Sequence, residues 1–302
     1  MSYGKKFMRK NTMKKIALIT CVIFSSTLFS NISHADTNCN DRANEVRLAE
    51  RLDLAIDELD NCLSEELLRV ARTYLLLGLT YYDSDEQKKA IANYSQAIEF
   101  APTYITAYAN RGLSYALRGE SKLAMADFKQ AIELDPTYMQ AYYFRAYANQ
   151  REGRYNNAIE DYSIALTLTR NSDELALIYY NRARANKSNN RYSDALSDYN
   201  EAITLNPGHA ATYFSRALLH HDQKNHDEAI ADYSRTIELD KDHARAYFNR
   251  GLLYRKAGTD FLAIQDFEAA TDIDPSFAKA YVNRGYTYMI PIFPLIFILA
   301  LG

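Results

Sequence analysis

Residues 105–138 read ITAYANRGLSYALRGESKLAMADFKQAIELDPTY, and they decide the fold. Tyr108, Gly112 and Tyr115 stand at spacings of four and three. Beyond Gly119, Ala124, Phe128 and Ala131 repeat those spacings, and Pro136 closes the stretch. Such spacings put side chains on one face of a helix, so the stretch reads as two helices, each with one face of large and small residues. A small residue on the first helix lets the second approach at its own alanine, while the aromatics fill the space beside that contact. One hairpin of this size buries too little to stand alone, so neighbours must stack.

The same frame runs outward in both directions. Gly78, Gly112, Ala146, Ala183, Ala217, Gly251 and Gly285 fall in steps of 34, with one longer step of 37 between Ala146 and Ala183. Four residues before each stands a tyrosine: Tyr74, Tyr108, Tyr142, Tyr179, Tyr213, Tyr247 and Tyr281. Twelve residues after the first six comes alanine (Ala90, Ala124, Ala158, Ala195, Ala229, Ala263), and four further on an aromatic (Tyr94, Phe128, Tyr162, Tyr199, Tyr233, Phe267). This recurrence explains 25 tyrosines in a chain with no tryptophan. Pro102, Pro136, Pro207 and Pro275 close units where a helix must stop. Composition agrees: 48% apolar and 24% charged content is that of a folded chain, and 10 glycines and 6 prolines leave few turns for a many-stranded fold.

In Tyr108, Arg111-Gly112, Tyr115, Ala124, Phe128, Ala131 and Pro136 the chain resembles the tetratricopeptide repeat family, of exported bacterial type. The resemblance covers six complete repeats, about 71–275, and the first helix of a seventh, 278–289. It implies an all-α, right-handed superhelical solenoid of stacked helical hairpins, with the first helices lining the concave face. The departure is arginine before the small residue: Arg111, Arg145, Arg182, Arg216, Arg250 and Arg284, where only the first repeat keeps Leu77. Asp127, Asp161, Asp198, Asp232 and Asp266 recur just before the second-helix aromatic, and the first repeat has Asn93 there. Their joint absence from one repeat favours an Arg–Asp structural ladder over an anion site. That joint absence also suggests pairing within a hairpin, although Asp of one repeat with Arg of the next fits as well.

On the concave face that the resemblance implies, Tyr143, Tyr180, Phe214 and Phe248 form a column of rings three residues before the small residue. The next column supplies Asn110, Asn181, Asn249 and Asn283, whose amides both donate and accept. These eight residues are the expected groove for another protein or peptide segment. The competing reading is that the rings pack between first helices and the amides cap local structure. The chaperone-binding subfamily grips a C-terminal carboxylate with paired Lys, Asn and Arg. Arg245 and Lys279 offer charge here, but Phe214 and Leu218 occupy matching places, so that grip is not expected.

The ends carry different signals. Lys5, Lys6, Arg9, Lys10, Lys14 and Lys15 precede an uncharged run from Ile16 to Phe29 that ends at Ser33-His34-Ala35, the pattern of an export signal over 1–35. Met13 would itself make a normal signal start, and Thr20 before Cys21 argues against a lipoprotein cut. Loss of those six cations moves the formal charge from −3 to −9. An acidic chain without a basic run has no electrostatic footprint for nucleic acid, so no nucleic-acid partner is expected. Residues 36–70 align as a degenerate capping hairpin. In the family's hairpin Cys39 and Cys62 would face each other, and in an oxidising compartment a disulfide follows. The tail 290–302 is uncharged and too short to span a bilayer. It reads as a docked segment, a truncated or frame-shifted end, or a membrane contact.

No phosphate loop, HExxH or nucleophile elbow is present, and no catalytic residue, metal or cofactor is expected. His220, His221 and His226, with Asp222 and Asp227, form the one cluster to test for metal. The resulting expectation is a non-enzymatic interaction scaffold of the cell envelope, periplasmic or secreted. Its rivals are a membrane-anchored assembly factor, held by the tail or an uncleaved signal, and a periplasmic metal-binding protein or enzyme.

Overall fold

A computed structural model of the chain describes residues 52–289, with side chains from residue 61 onward. The segment 1–35, Cys39 and the tail 290–302 lie outside the described residues. Among the described residues there are thirteen helices and no strand: α1 (Leu52–Asp83), α2 (Gln87–Phe100), α3 (Ile105–Leu117), α4 (Ser121–Leu134), α5 (Met139–Arg151), α6 (Tyr155–Leu168), α7 (Ser172–Ser188), α8 (Tyr192–Leu205), α9 (Ala210–Asp222), α10 (His226–Leu239), α11 (Ala244–Lys256), α12 (Asp260–Ile273) and α13 (Ala278–Met289). They fall into two compact units, one ending at Ala107 and one beginning at Tyr108.

In the first unit α1 and α2 pair as a hairpin around Ala71, Leu75, Ala90, Tyr94 and Ala97. Tyr74 stacks on Phe100 with ring centroids 5.6 Å apart. The expected boundary near residue 70 is not a turn, because α1 runs through it as one helix of 32 residues. The reason is local. Residues 63–72, LSEELLRVAR, contain neither glycine nor proline and consist mostly of strong helix formers. The later boundaries at Pro102, Pro136, Pro207 and Pro275 break the chain.

In the second unit the hairpins α5–α6, α7–α8, α9–α10 and α11–α12 follow one another, and α13 packs on α12. Consecutive first helices (α5 with α7, α7 with α9, α11 with α13) touch one another, while consecutive second helices do not come as close. The first helices therefore lie on the inner side of the stack. Each hairpin turn needs one residue of left-handed backbone: Gly119 (φ 77°), Gly153 (74°), Asn190 (61°), Lys224 (65°) and Gly258 (76°). Glycine and asparagine suit that conformation and lysine does not. At the repeat boundaries the side chains of Asp135, Asn206, Asp240 and Asp274 accept a hydrogen bond from the backbone N–H two residues on, at 2.8–3.2 Å. These Asx turns open the next first helix.

The long step between Ala146 and Ala183 becomes extra helix. α7 has 17 residues where α5, α9 and α11 have 13. No proline stands before it. Instead the Asn171 side chain caps the added turn, accepting from the N–H groups of Asp173 (2.9 Å) and Glu174 (3.1 Å).

The core repeats with the frame. Phe128, Tyr162, Tyr199, Tyr233 and Phe267 are almost fully buried, each beside a buried alanine one turn earlier. Burial of such a ring contributes about 1.5–3 kcal/mol. It also pushes the phenols of Tyr162, Tyr199 and Tyr233 well above their ordinary pKa, so they stay neutral. The small residues are small because the rings demand it. A Cβ on Gly112 would lie 2.7 Å from Phe128 Cε1, and one on Gly251 2.9 Å from Phe267 Cε1.

The Arg–Asp ladder pairs within each hairpin and also ties neighbours. Arg111, Arg145, Arg182, Arg216 and Arg250 each donate through Nε and Nη2 to the two oxygens of Asp127, Asp161, Asp198, Asp232 and Asp266, all at 2.6–2.9 Å. The third nitrogen then reaches back to the preceding second helix. Arg182 Nη1 donates to Ser163 Oγ (2.9 Å), Arg216 Nη1 to Asn200 Oδ1 (2.6 Å) and Arg250 Nη1 to Ser234 Oγ (2.9 Å). One guanidinium thus uses its planar fork inside a repeat and its remaining donor between repeats. That sets register, the role buried ion pairs fill more reliably than stability.

Candidate functional site

The four rings of the inner face lie where the 34-residue frame puts them, but they are wedges rather than bare plates. Tyr143, Tyr180, Phe214 and Phe248 pack against Tyr162, Tyr199, Tyr233 and Phe267 of their own hairpins, with centroids 5.7, 6.3, 5.8 and 5.9 Å apart. Three of them also meet the residue that precedes the next first helix. Tyr180 meets His209 edge-on at 5.2 Å, Phe214 meets His243 at 4.4 Å, and Phe248 meets Phe277 at 4.8 Å. Phe214 is buried and the other three are half-buried. The expected groove did not include this second contact, which lies 29 residues on, across the repeat boundary. Tyr143 faces the lengthened boundary, which carries no ring. Its hydroxyl instead accepts from Asn181 Nδ2 at 3.0 Å.

The asparagine column joins repeats in the same way. Asn181 is buried and also donates to the Leu177 carbonyl at 2.9 Å. Asn249 lies beside the Tyr233 phenol of the preceding repeat. Asn283 donates to the Lys279 carbonyl (2.7 Å) and accepts from Arg255 Nη1 (2.6 Å). Asn110 is half-buried at the equivalent place in α3.

The open surface of this face is formed by residues one turn to either side of the rings. Leu177 and Arg184 flank Tyr180, and Arg245 and Leu252 flank Phe248. Leu177 is 45% exposed, and Arg184, Arg245 and Lys279 are exposed. The Arg184 guanidinium lies 5.6 Å over the Tyr180 ring and that of Arg245 5.4 Å over Phe214. Sequence reading passed over Leu177 and Arg184. The signal was available as the i−3 and i+4 neighbours of each ring.

The histidine cluster does not close into a set of three, although His221 and His226 meet edge-on with ring centroids 6.1 Å apart. His220 is buried and its Nδ1 has no hydrogen-bond partner. His221 Nδ1 lies 3.4 Å from the Tyr233 hydroxyl, and His226 Nε2 lies 2.9 Å from Lys256 Nζ. Burial holds both His220 and His221 below the usual imidazole pKa. Among the described residues no three His, Cys, Asp or Glu side chains gather as a metal set, and no helix is long and apolar enough to cross a membrane. A cavity of about 610 Å³ beside Arg145 and Asp161, lined also by Met125, Asn149 and Arg154, belongs to the ladder. Cys62 is buried in α1.

Family models described as tetratricopeptide repeat match residues 105–138, 140–172, 180–242 and 227–278, and one described as TPR repeat matches 78–119. No curated protein matches the sequence. Among solved structures, pilF of Pseudomonas aeruginosa is similar with a TM-score of 0.64 at 16% identity, over 72% of this chain and 98% of that one. YrrB, titled a TPR protein with an unusual peptide-binding site, gives 0.52 at 23% identity over 64% and 97%. MamA gives 0.51 at 26% identity over 56% and 96%. At these identities pilF and YrrB speak to the fold alone.

Proposed function

The chain belongs to the tetratricopeptide repeat family, and from that membership we propose a non-enzymatic scaffold of the cell envelope that holds a segment of another protein against its first helices. Proteins of this family are in general interaction scaffolds, and the repeat fold is of a non-catalytic type. The observation that carries the reading is the inner face of the second unit. There the ring edges of Tyr143, Tyr180 and Phe248 remain half open, and the flanking Leu177 and Leu252 add apolar surface between them. The amides and rings behind that surface are locked to one another, which gives a segment a firm bed rather than one it must first order. YrrB, described as a TPR protein with an unusual peptide-binding site, is a precedent for the fold.

Export is the second half of the proposal; it rests on the pattern of residues 1–35, and a Cys39–Cys62 disulfide is expected to follow from it. N-terminal sequencing of protein recovered from the periplasm is expected to start after Ala35, and non-reducing peptide mapping to join Cys39 to Cys62. Free thiols at both positions would overturn that half.

The binding half is tested at the flanking positions, because the rings themselves are packed. Leu177→Ala with Leu252→Ala is expected to weaken partner binding while leaving the helical circular dichroism and melting curve unchanged. Undiminished binding by that variant would contradict the assignment.

A further inference from the structure

Charge in the second unit is sorted by helix. The first helices α3, α5, α7, α9, α11 and α13 carry 13 Arg and Lys against 3 acids. The second helices α4, α6, α8, α10 and α12 carry 3 Arg and Lys against 15 acids. A chain of formal charge −3 thus hides a cationic layer on its inner side. The five ladder pairs cancel one another and leave the asymmetry in place. Among the described residues the remaining inner-face cations are mostly without an acid. Lys187 pairs with Asp222 at 2.9 Å, whereas no carboxylate lies within 4.0 Å of Arg151, Arg184, Arg245, Arg255 or Lys279.

These cations stand beside apolar surface. Arg184 shares a helix face with Leu177 and lies over Tyr180, Arg245 is two turns from Leu252 and lies over Phe214, and Lys279 is two turns from the 57% exposed Tyr286. A face that sets a cation and a hydrophobe two turns apart on α7, α11 and α13 matches a chain that carries both carboxylates and hydrophobes. A phosphate backbone would want the charge without the leucines. We propose that the segment taken up by this face is acidic: a stretch of a partner protein whose Asp and Glu side chains meet Arg184, Arg245 and Lys279 while its apolar residues settle against Leu177 and Leu252. The inference rests on the first-helix face being the binding face and adds the chemistry of its partner.

The test uses the exported chain and fluorescein-labelled peptides with amidated C termini, so that side-chain carboxylates alone are offered. One peptide alternates Glu with Leu, and a second has Gln for every Glu. The expected result is tighter binding of the Glu peptide, weakening as salt rises. The variant Arg184→Glu, Arg245→Glu, Lys279→Glu is expected to lose roughly tenfold or more of that affinity with unchanged circular dichroism. Should the charge reversals unfold the chain, Arg184→Gln, Arg245→Gln, Lys279→Gln gives the same readout with a smaller loss. Equal binding of the Gln peptide would overturn the acidic class and leave the binding face standing. Failure of both peptides to bind would overturn both. Oligodeoxythymidine that binds as tightly as the Glu peptide and is lost in the same variant would assign the face to nucleic acid instead.

Discussion

α11 and α13 are near copies, ARAYFNRGLLYRK and AKAYVNRGYTYM, yet they live in different surroundings. α11 has a second helix of its own. The space above Gly251 is closed by Phe267, Arg250 holds Asp266 in a two-pronged pair at 2.8–2.9 Å, and Tyr247 is half-buried. α13 has none among the described residues. Among the described residues nothing lies within 4 Å of a Cβ on Gly285, Arg284 has Glu268 of the preceding repeat at 3.9 Å as its one carboxylate, and Tyr281 and Tyr286 are 43% and 57% exposed. The same residues mean different things in the two places. The frame of a first helix encodes a partner, and its glycine, arginine and tyrosine acquire value only when that partner is folded against them.

Substitutions at matched positions therefore sharpen the contrast. The largest gap is expected for the ladder. Asp232→Ala leaves the Arg216 guanidinium desolvated without its carboxylate, a loss of about 3 kcal/mol. Arg284→Ala removes an exposed contact worth under about 1 kcal/mol. Because stability in a repeat array is local, the loss should appear as faster amide exchange in α9 and α10 as well as in urea melts.

Next in size is the glycine. Gly251→Ala drives a methyl into Phe267 and should cost about 1–3 kcal/mol, less the roughly 1 kcal/mol gained in helix propensity. Gly285→Ala meets no described residue and should gain up to about 1 kcal/mol. Equal effects at the two glycines would break the comparison.

A smaller, pH-dependent difference separates the fifth repeat from the third and fourth. Asn149 and Asn186 donate to the ladder carboxylates of Asp161 and Asp198 at 3.4 and 2.9 Å, and His220 occupies the equivalent position. Burial lowers the folded-state pKa of His220, so the folded chain binds its proton more weakly than the unfolded chain does. Stability from this site is full above the unfolded value of about 6.5 and is lost as pH falls below it towards the folded value. His220→Asn is expected to flatten that part of the melting temperature profile. An unchanged acid limb would contradict it. The smallest effect is at the turn: Lys224 holds φ 65°, where three of the other turns use glycine, and Lys224→Gly should gain about 0.5 kcal/mol.

Most of the fold could be read from the sequence because one pattern repeats in it. Two helices per unit, the close approach at Gly112 and Gly251 and the pairing of Arg182 with Asp198 all follow from residues that recur in register. Features used once were harder to see. The continuity of α1 through residue 70 depends on a missing breaker, and absence of proline is a weaker signal than its presence. The inner-face rings were legible in position but not in role. Their second contacts, His209, His243 and Phe277, belong to the next unit. The charge sorting was invisible to a net charge of −3 and appears only when acids and bases are counted by helix.

The claim that the first helices of the second unit carry the binding face is tested most directly by a photo-cross-linking map. A photoreactive phenylalanine is placed singly at Leu177 and Leu252 on first helices and at Leu123 and Leu262 on second helices, all at least partly exposed. With envelope extract under ultraviolet light, adducts to one partner are expected from 177 and 252 and from neither 123 nor 262. The same adduct from 123 or 262, with none from 177 and 252, would contradict the account.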